Sequence, residues 1–350
     1  MTTRRRGGAC ELWAAFRASA AYPATVLVFI LAVAAGLFAG SYTYAMANPT
    51  PHKIPIAVVS DAASSRQEPA FVADIQRTLH ASLDQRPFAT YDQAVSAVEE
   101  QRVFAVLELR GTEVRLDVAS AAGASVAQLL AGAAPKAAAQ AGVVVTVRDL
   151  KPLQPGDPRG LALFYISLAA VVVGFIGAIQ LSVHARELEP PERIAFTAAY
   201  SVLGGFSIAA VVDWLLGAVD LPFAESWAIL ALTMFTSGMV FTMFNTFMGR
   251  WAMLPTWGLM VLVGNPSSGG AVSAPLLPSP FGVIGRWLPP GASVSAQHAA
   301  VYFPHHQHVL PFLVLAVWAV VSSAVFWIWR HRHPGGRAEA ANPEEAGGVH

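Results

Sequence analysis

The sequence predicts a polytopic α-helical membrane protein of six spans, with an extracytoplasmic α+β domain between spans one and two and a re-entrant hairpin between spans five and six. Three observations lead there. The 350 residues are 55% hydrophobic and 13% charged, about half the charged fraction of a soluble globular protein. Apolar runs of membrane length bracket a more polar stretch of about 110 residues, enough for a small domain. A further apolar stretch, 265–303, is interrupted by Pro266, Pro275, Pro278, Pro280, Pro289 and Pro290, which remove backbone donors and block helical continuation. Irregular backbone at membrane depth is tolerated only where protein or a water-filled cavity satisfies its polar groups, so this stretch predicts a hairpin sheltered by the rest of the chain.

Residues 1–23 carry Arg4, Arg5 and Arg6, then Leu12, Trp13 and Phe16 on one helical face between Glu11 and Arg17, the pattern of a helix lying on the membrane surface. The first span, 24–46, follows Tyr22-Pro23, and its basic flank places the N-terminus in the cytoplasm. Ala45-Met46-Ala47 fits a leader cleavage pattern, but the apolar region outruns the roughly 7–15 residues of a cleavable leader, so it reads as an uncleaved anchor.

Residues 47–159 predict the α+β domain. Ile54–Val59 reads as a buried strand with a polar exit at 61–65. Phe71, Ile75, Leu79 and Leu83 recur at helical spacing, and 93–102 reads as a second helix. Strands follow at 103–109 and at the alternating Val114, Leu116 and Val118, joined by the turn Gly111-Thr112. An alanine-rich helix over 125–140 and a strand at 143–147 complete the unit.

The membrane domain, 160–330, divides into spans at 161–183, 194–219, 226–248, 251–264 and 309–329. Arg186, Arg193, Arg250, Arg330 and Arg332 then fall on the cytoplasmic side, whereas the turn 220–225 has no Lys or Arg, so both termini are predicted cytoplasmic and the protein multi-pass in the plasma membrane. Within the hairpin, 281–288 reads as the membrane-dipping half and Pro289-Pro290-Gly291 as the bend before a helix over 293–302. The tail, 331–350, has no apolar period and reads as disordered. Small residues such as Gly174 with Gly177, Gly204 with Gly205 and Ser237 with Gly238 predict close helix packing, in a bundle or a dimer.

The chain carries no P-loop, GxSxG, HExxH or dinucleotide fingerprint, so no enzyme activity and no cofactor are predicted for it. Zero formal net charge argues against nucleic acid, and the single Cys10 rules out an intrachain disulfide. Asp213, a carboxylate inside a span, is a candidate for the transport path or for a reach to interfacial water. Gln180 and Asn245 read as interhelical hydrogen-bond partners. His298, His305, His306 and His308 lie together without a nearby carboxylate or thiol, so no metal site is assigned. Arg186, Glu187, Glu189, Glu192 and Arg193 form a charged cytoplasmic loop fit to dock a partner. Arg286 breaks the inside-positive pattern, facing either headgroups or a path.

One span, a domain opening with IPIAVVSD, and five more spans with NPSSGGAVSAPLLP and FGVIGRWLPPGASVSAQHAAVYF between the last two give a layout that resembles the permeases of the type-2 ABC exporter superfamily. The branch it looks most like holds the phage-infection-protein-like and nitrosoguanidine-resistance-like membrane proteins. The resemblance implies an interface helix around Leu12 to Phe16 and a coupling loop at 184–193 facing a separate cytoplasmic ATPase subunit, which would supply ATP hydrolysis. It further implies an outer hairpin over a translocation path near Asn265, Pro266, Ser268, Gly269, Gly270 and Arg286. Two copies would form the transporter, and the cargo would be amphipathic: a lipid, a drug or a glycan precursor. Two rival readings are a non-transporting surface receptor or scaffold that binds a partner through its outer domain, and an ion-coupled exporter using Asp213.

Overall fold

The computed structural model describes residues 8–19, 21–47, 51–60, 68–110 and 113–333. The basic flank at Arg4 to Arg6, the polar exit at 61–65, the turn Gly111-Thr112 and the tail from 334 onward lie outside them.

Helix α1 (Gly8–Ala18) turns at Ser19, whose hydroxyl donates to the Phe16 carbonyl at 2.6 Å, into α2 (Ala21–Met46). Trp13, Phe16 and Tyr22 cluster at this corner with ring centroids 5.7 to 6.4 Å apart. Most of α2 presents apolar side chains outward, including Leu27, Val28, Phe29 and Leu31, as a lipid-facing helix does.

The sheet domain runs β1 (Ile54–Ser60), α3 (Glu68–Leu79), β2 (Leu83–Pro87), α4 (Tyr91–Glu99), β3 (Ala105–Arg110), β4 (Glu113–Val118), α5 (Ala124–Ala141) and β5 (Val144–Asp149). Its strand order is β2-β1-β3-β4-β5, and all pairs are parallel except the β3-β4 hairpin. Parallel neighbours need crossover connections, which α3, α4 and α5 supply. The unit is therefore built from βαβ crossovers on one mixed sheet. Ile56, Leu107 and Leu116 face α3 and α5, whereas Ala57 and Val106 face α4, as the two-residue period of a strand requires.

Strand β2 corrects the helical reading of Leu83. The helix stops at Leu79, His80 takes φ 50°, and Leu83 opens a strand at the edge of the sheet. The rest of β2 is Asp-Gln-Arg-Pro, polar and ending in a proline that only an edge strand accommodates, so it carries no apolar alternation to read.

A buried polar network ties α4 to β4. The Tyr91 hydroxyl donates to Asp117 at 2.6 Å, Arg115 Nε lies 2.8 Å from the same carboxylate, and Arg115 Nη2 donates to the Tyr91 oxygen at 3.1 Å. Loss of solvation, followed by the Asp117 carboxylate, pushes the Tyr91 phenol up to about 12. The unfolded phenol ionises near pH 10, so the folded protein holds its proton longer. The contribution to stability is whole below pH 10 and disappears as the pH rises to about 12. Thermal unfolding of the full chain across that window is expected to show a falling midpoint that Tyr91→Phe flattens; an equal slope in the variant would assign the loss elsewhere.

Five helical runs are long and apolar enough to cross a membrane, at 21–46, 162–184, 190–215, 223–264 and 309–332, so the chain is a polytopic helical membrane protein. They comprise α2, α6 (Ala162–His184), α7 (Pro190–Ala210) with a π-helical end over 211–215, the run beginning with α8 (Phe223–Met248), and, last, Val309–Arg332. The run 223–264 is broken at Gly249, whose φ of 52° and ψ of −125° end α8. A 3₁₀ turn over 249–252 leads to α9 (Met253–Trp257), and π-helical winding continues to Gly264. The broken stretch contains α10 (Ser279–Ile284), a 3₁₀ turn over 285–287 and α11 (Pro289–Tyr302), and the last run is α12.

α8 is the central post, packed against α6, α7, α11 and α12. Gly174 and Gly205 bring the backbones of α6 and α7 against it, as the small-residue pattern predicts. Hydroxyls then bond across: Tyr200 donates to Gly174 O at 2.6 Å and Ser237 to Val171 O at 2.7 Å.

The expected bend at Pro289-Pro290-Gly291 is displaced to Leu288, which is extended at φ −100° and ψ 147°, while the two prolines form the first turn of α11. A first helical turn leaves its N–H groups unpaired anyway, so prolines fit there. At Gly285 the chain passes so close to Ser267 that an added Cβ would lie 2.6 Å from the Ser267 carbonyl carbon. Gly285→Ala is therefore expected to destabilise the protein by about 1–3 kcal/mol. A lowered thermal midpoint in detergent checks this, and an unchanged midpoint would show that the two segments separate freely.

Candidate functional site

The broken stretch wedges between the helices and the sheet domain. Asn265 is 2% exposed and its amide donates to the Tyr42 hydroxyl of α2 at 2.6 Å, beside the Ser41 hydroxyl, which donates to Leu262 O at 2.5 Å. Farther on, Leu276 enters the core of the sheet domain with Phe71 and Leu130. The Ser273 N–H donates to Ser125 Oγ at 2.9 Å, the two hydroxyls lie 2.8 Å apart, and His52 N–H donates to Pro275 O at 2.9 Å. Behind it, Gln154 exchanges two hydrogen bonds with the Asp220 backbone, at 3.1 and 2.6 Å.

Between these surfaces lies a cavity of about 540 Å³. Gln101, Phe104, Ser125 and Gln128 line its sheet-domain side. Phe164, Ser268, Gly269, Gly270, Ser295 and His298 line the other, with Arg159 as the formally charged residue on the wall. His298 packs 5.3 Å from the Tyr302 ring and 5.9 Å from Phe303, and loss of solvation pushes its imidazole down to about 4. It is therefore neutral at physiological pH. The wall mixes aromatic faces, hydroxyls and amides around one guanidinium, a lining that suits a molecule with both apolar and polar parts.

The predicted path residues separate. Ser268, Gly269 and Gly270 line the cavity. Asn265 and Pro266 are buried and do not line it, and the Asn265 amide bonds to Tyr42 of α2. Arg286 is exposed, its guanidinium 5.7 Å from the centroid of Trp287, and does not line the cavity. Asp213 sits half-buried in the π-helical end of α7, beside Trp214, which stacks on Phe223 at 4.3 Å; it too stands apart from the cavity. Ser125, Gln128 and Arg159 carry no motif in the sequence, because they come from a helix and a loop that only folding brings to the broken stretch. In the sequence His298 is one of four histidines, with His305, His306 and His308, and no pattern singles it out.

At the opposite end of the bundle the charged loop is built on fixed supports. Glu189 and Glu192 form a capping box at the start of α7, with Glu189 N–H donating to Glu192 Oε2 at 2.7 Å. Arg193 folds back to donate to Ala185 O at 2.9 Å. Arg186, Glu187 and Glu192 line a shallow recess along this loop. Gln180 and Asn245 each line a separate cavity, and neither side chain joins two helices by a hydrogen bond among the described residues. Among the described residues no group of three His, Cys, Asp or Glu side chains is placed to hold a metal ion.

The Ser125 and Ser273 pair offers a direct check on how the broken stretch is held. A double-mutant cycle with Ser125→Ala and Ser273→Ala is expected to give a coupling of about 0.5–1.5 kcal/mol in thermal unfolding, and additive effects would dissolve the link. No protein-family model, curated protein or solved structure matches this chain.

Proposed function

We propose that this chain is the permease subunit of an ABC-type exporter that moves amphipathic cargo, a lipid, a drug or a glycan precursor, out of the cell. In this reading the chain crosses the plasma membrane six times, with the break at Gly249 separating the fourth and fifth spans, and both termini are cytoplasmic. The hairpin at 265–303 is re-entrant from the outer side. Two copies work together with a separate cytoplasmic ATPase subunit, which docks on the loop bearing Arg186, Glu187, Glu189, Glu192 and Arg193.

The observation that carries the reading is the mixed cavity of about 540 Å³ between the broken hairpin and the sheet domain. Its size suits part of an amphipathic molecule, and Arg159 would meet an anionic or hydrogen-bonding group. The capped, charged loop at the far end supports the second half of the reading, since a rigid loop transmits a push from a partner. Asp213 lies away from the cavity, so it enters the path only if another face of the bundle is used.

Purification from native membranes is expected to bring an ATPase with the chain, with basal ATP hydrolysis and cargo-dependent stimulation. Ser295→Trp, which fills the cavity from an exposed position, is expected to cut efflux several-fold while leaving the chain in the membrane. No ATPase partner together with unchanged efflux on deletion would sink the proposal.

A further inference from the structure

At the end of the bundle away from the sheet domain, α6, α7, α8 and α12 enclose a smaller cavity of about 250 Å³. Arg186, Arg193, Arg330 and His333 all line it. Arg193 is only 9% exposed, and its one hydrogen bond among the described residues goes to Ala185 O. Among the described residues none of the three arginines forms an ion pair with a carboxylate. The nearest acid on the same helix, Glu192, is engaged with the Glu189 N–H in the capping box. Arg186, Arg193 and Arg330 thus line one small volume, one of them withdrawn from water, and among the described residues none of the three is ion-paired with a carboxylate.

A buried, uncompensated charge is costly, and several like charges around one space raise that cost. A divalent or monovalent anion with several acceptor oxygens would remove it, and guanidinium forks match phosphate oxygens in pairs. Asn245 lines the same cavity, and among the described residues its amide donates no hydrogen bond, whereas the hydroxyls of Thr242 and Thr246 donate to their own helix at 2.8 Å. Phe326 and Trp329 close the side toward α12; Trp329 is partly exposed and stacks on His333 at 4.2 Å. A tryptophan at the end of an apolar helix marks headgroup depth, which puts the cavity level with lipid phosphates.

We infer that this cavity is a phosphate site, which holds the headgroup phosphate of an anionic phospholipid between α7, α8 and α12. The inference is independent of export: a receptor or a scaffold built on the same bundle would carry the same site.

The test uses the full chain purified in a neutral detergent, with dioctanoyl phosphatidylglycerol, dioctanoyl phosphatidylcholine and inorganic phosphate as probes. Phosphatidylglycerol is expected to raise the thermal midpoint and to remain bound in native mass spectrometry, with phosphatidylcholine and inorganic phosphate weaker. Arg193→Gln is expected to weaken phosphatidylglycerol about tenfold or more, the loss of one charge-assisted hydrogen bond. Arg330→Gln, at the rim of the cavity, gives the same readout if the buried substitution fails to fold. Inorganic phosphate acting as strongly as the lipid, and losing its effect in the same variants, would support the phosphate site and assign its occupant to a soluble source. Equal effects of all lipids, or binding unchanged by both substitutions, would overturn it.

Discussion

Every buried backbone polar group must find a partner, and in this protein that requirement falls hardest on one proline-broken stretch set among apolar helices. The stretch meets it in three directions. Its own tight turns close first, as when Ser267 N–H donates to Val263 O at 3.2 Å and Ser268 N–H to Asn265 O at 3.1 Å. α2 then takes the side-chain amide of the buried Asn265, and the sheet domain takes the Ser273 N–H and the Pro275 carbonyl. Because these partners come from both the first apolar helix and the sheet domain, satisfying the stretch also positions those two parts.

The same packing explains where space remains. α11 is buried almost throughout, with Ser293 bonded to Thr233 at 2.8 Å and Gln297 donating to Ser226 O at 2.8 Å, so this end of the broken stretch is anchored to α8. Its leading turn, by contrast, is glycine and serine, too small to fill the gap beneath α5. The cavity at the sheet-domain end is the volume those small side chains leave. At the other end a second, smaller space of about 250 Å³ is lined by Arg186, Arg193, Arg330 and His333. α8 joins the two ends as a heavily packed post, against which α6, α7, α11 and α12 all lie.

Much of the architecture follows from local chemistry. Long apolar runs specify membrane helices through the cost of exposing hydrocarbon, and the alternation of Val114, Leu116 and Val118 specifies a strand facing a core. The small residues that let α6 and α7 close on α8 were legible for the same reason: nothing but Gly allows that approach. β2 was not legible, since an edge strand of Asp-Gln-Arg-Pro needs a neighbour and not a pattern. The bend at Leu288 was misplaced because a proline pair signals both the end of one helix and the first turn of the next, and only packing chooses.

The candidate sites divide along the same line. Composition and periodicity alone dictate a multi-pass helical protein with a sheet domain and a proline-broken stretch, because hydrophobicity and proline act through their nearest neighbours. Which side chains meet is settled by contacts far apart in the chain. Ser125 reaches Ser273 across 148 positions, and Arg193 comes to line one cavity with Arg330. Asn265 meets Tyr42 of α2 across 223 positions, and Asp213 stands outside the cavity that Ser268, Gly269 and Gly270 line. Residue type shows which chemistry is available; only the folded chain decides which groups share a space, since proximity there is set by packing and not by order along the sequence.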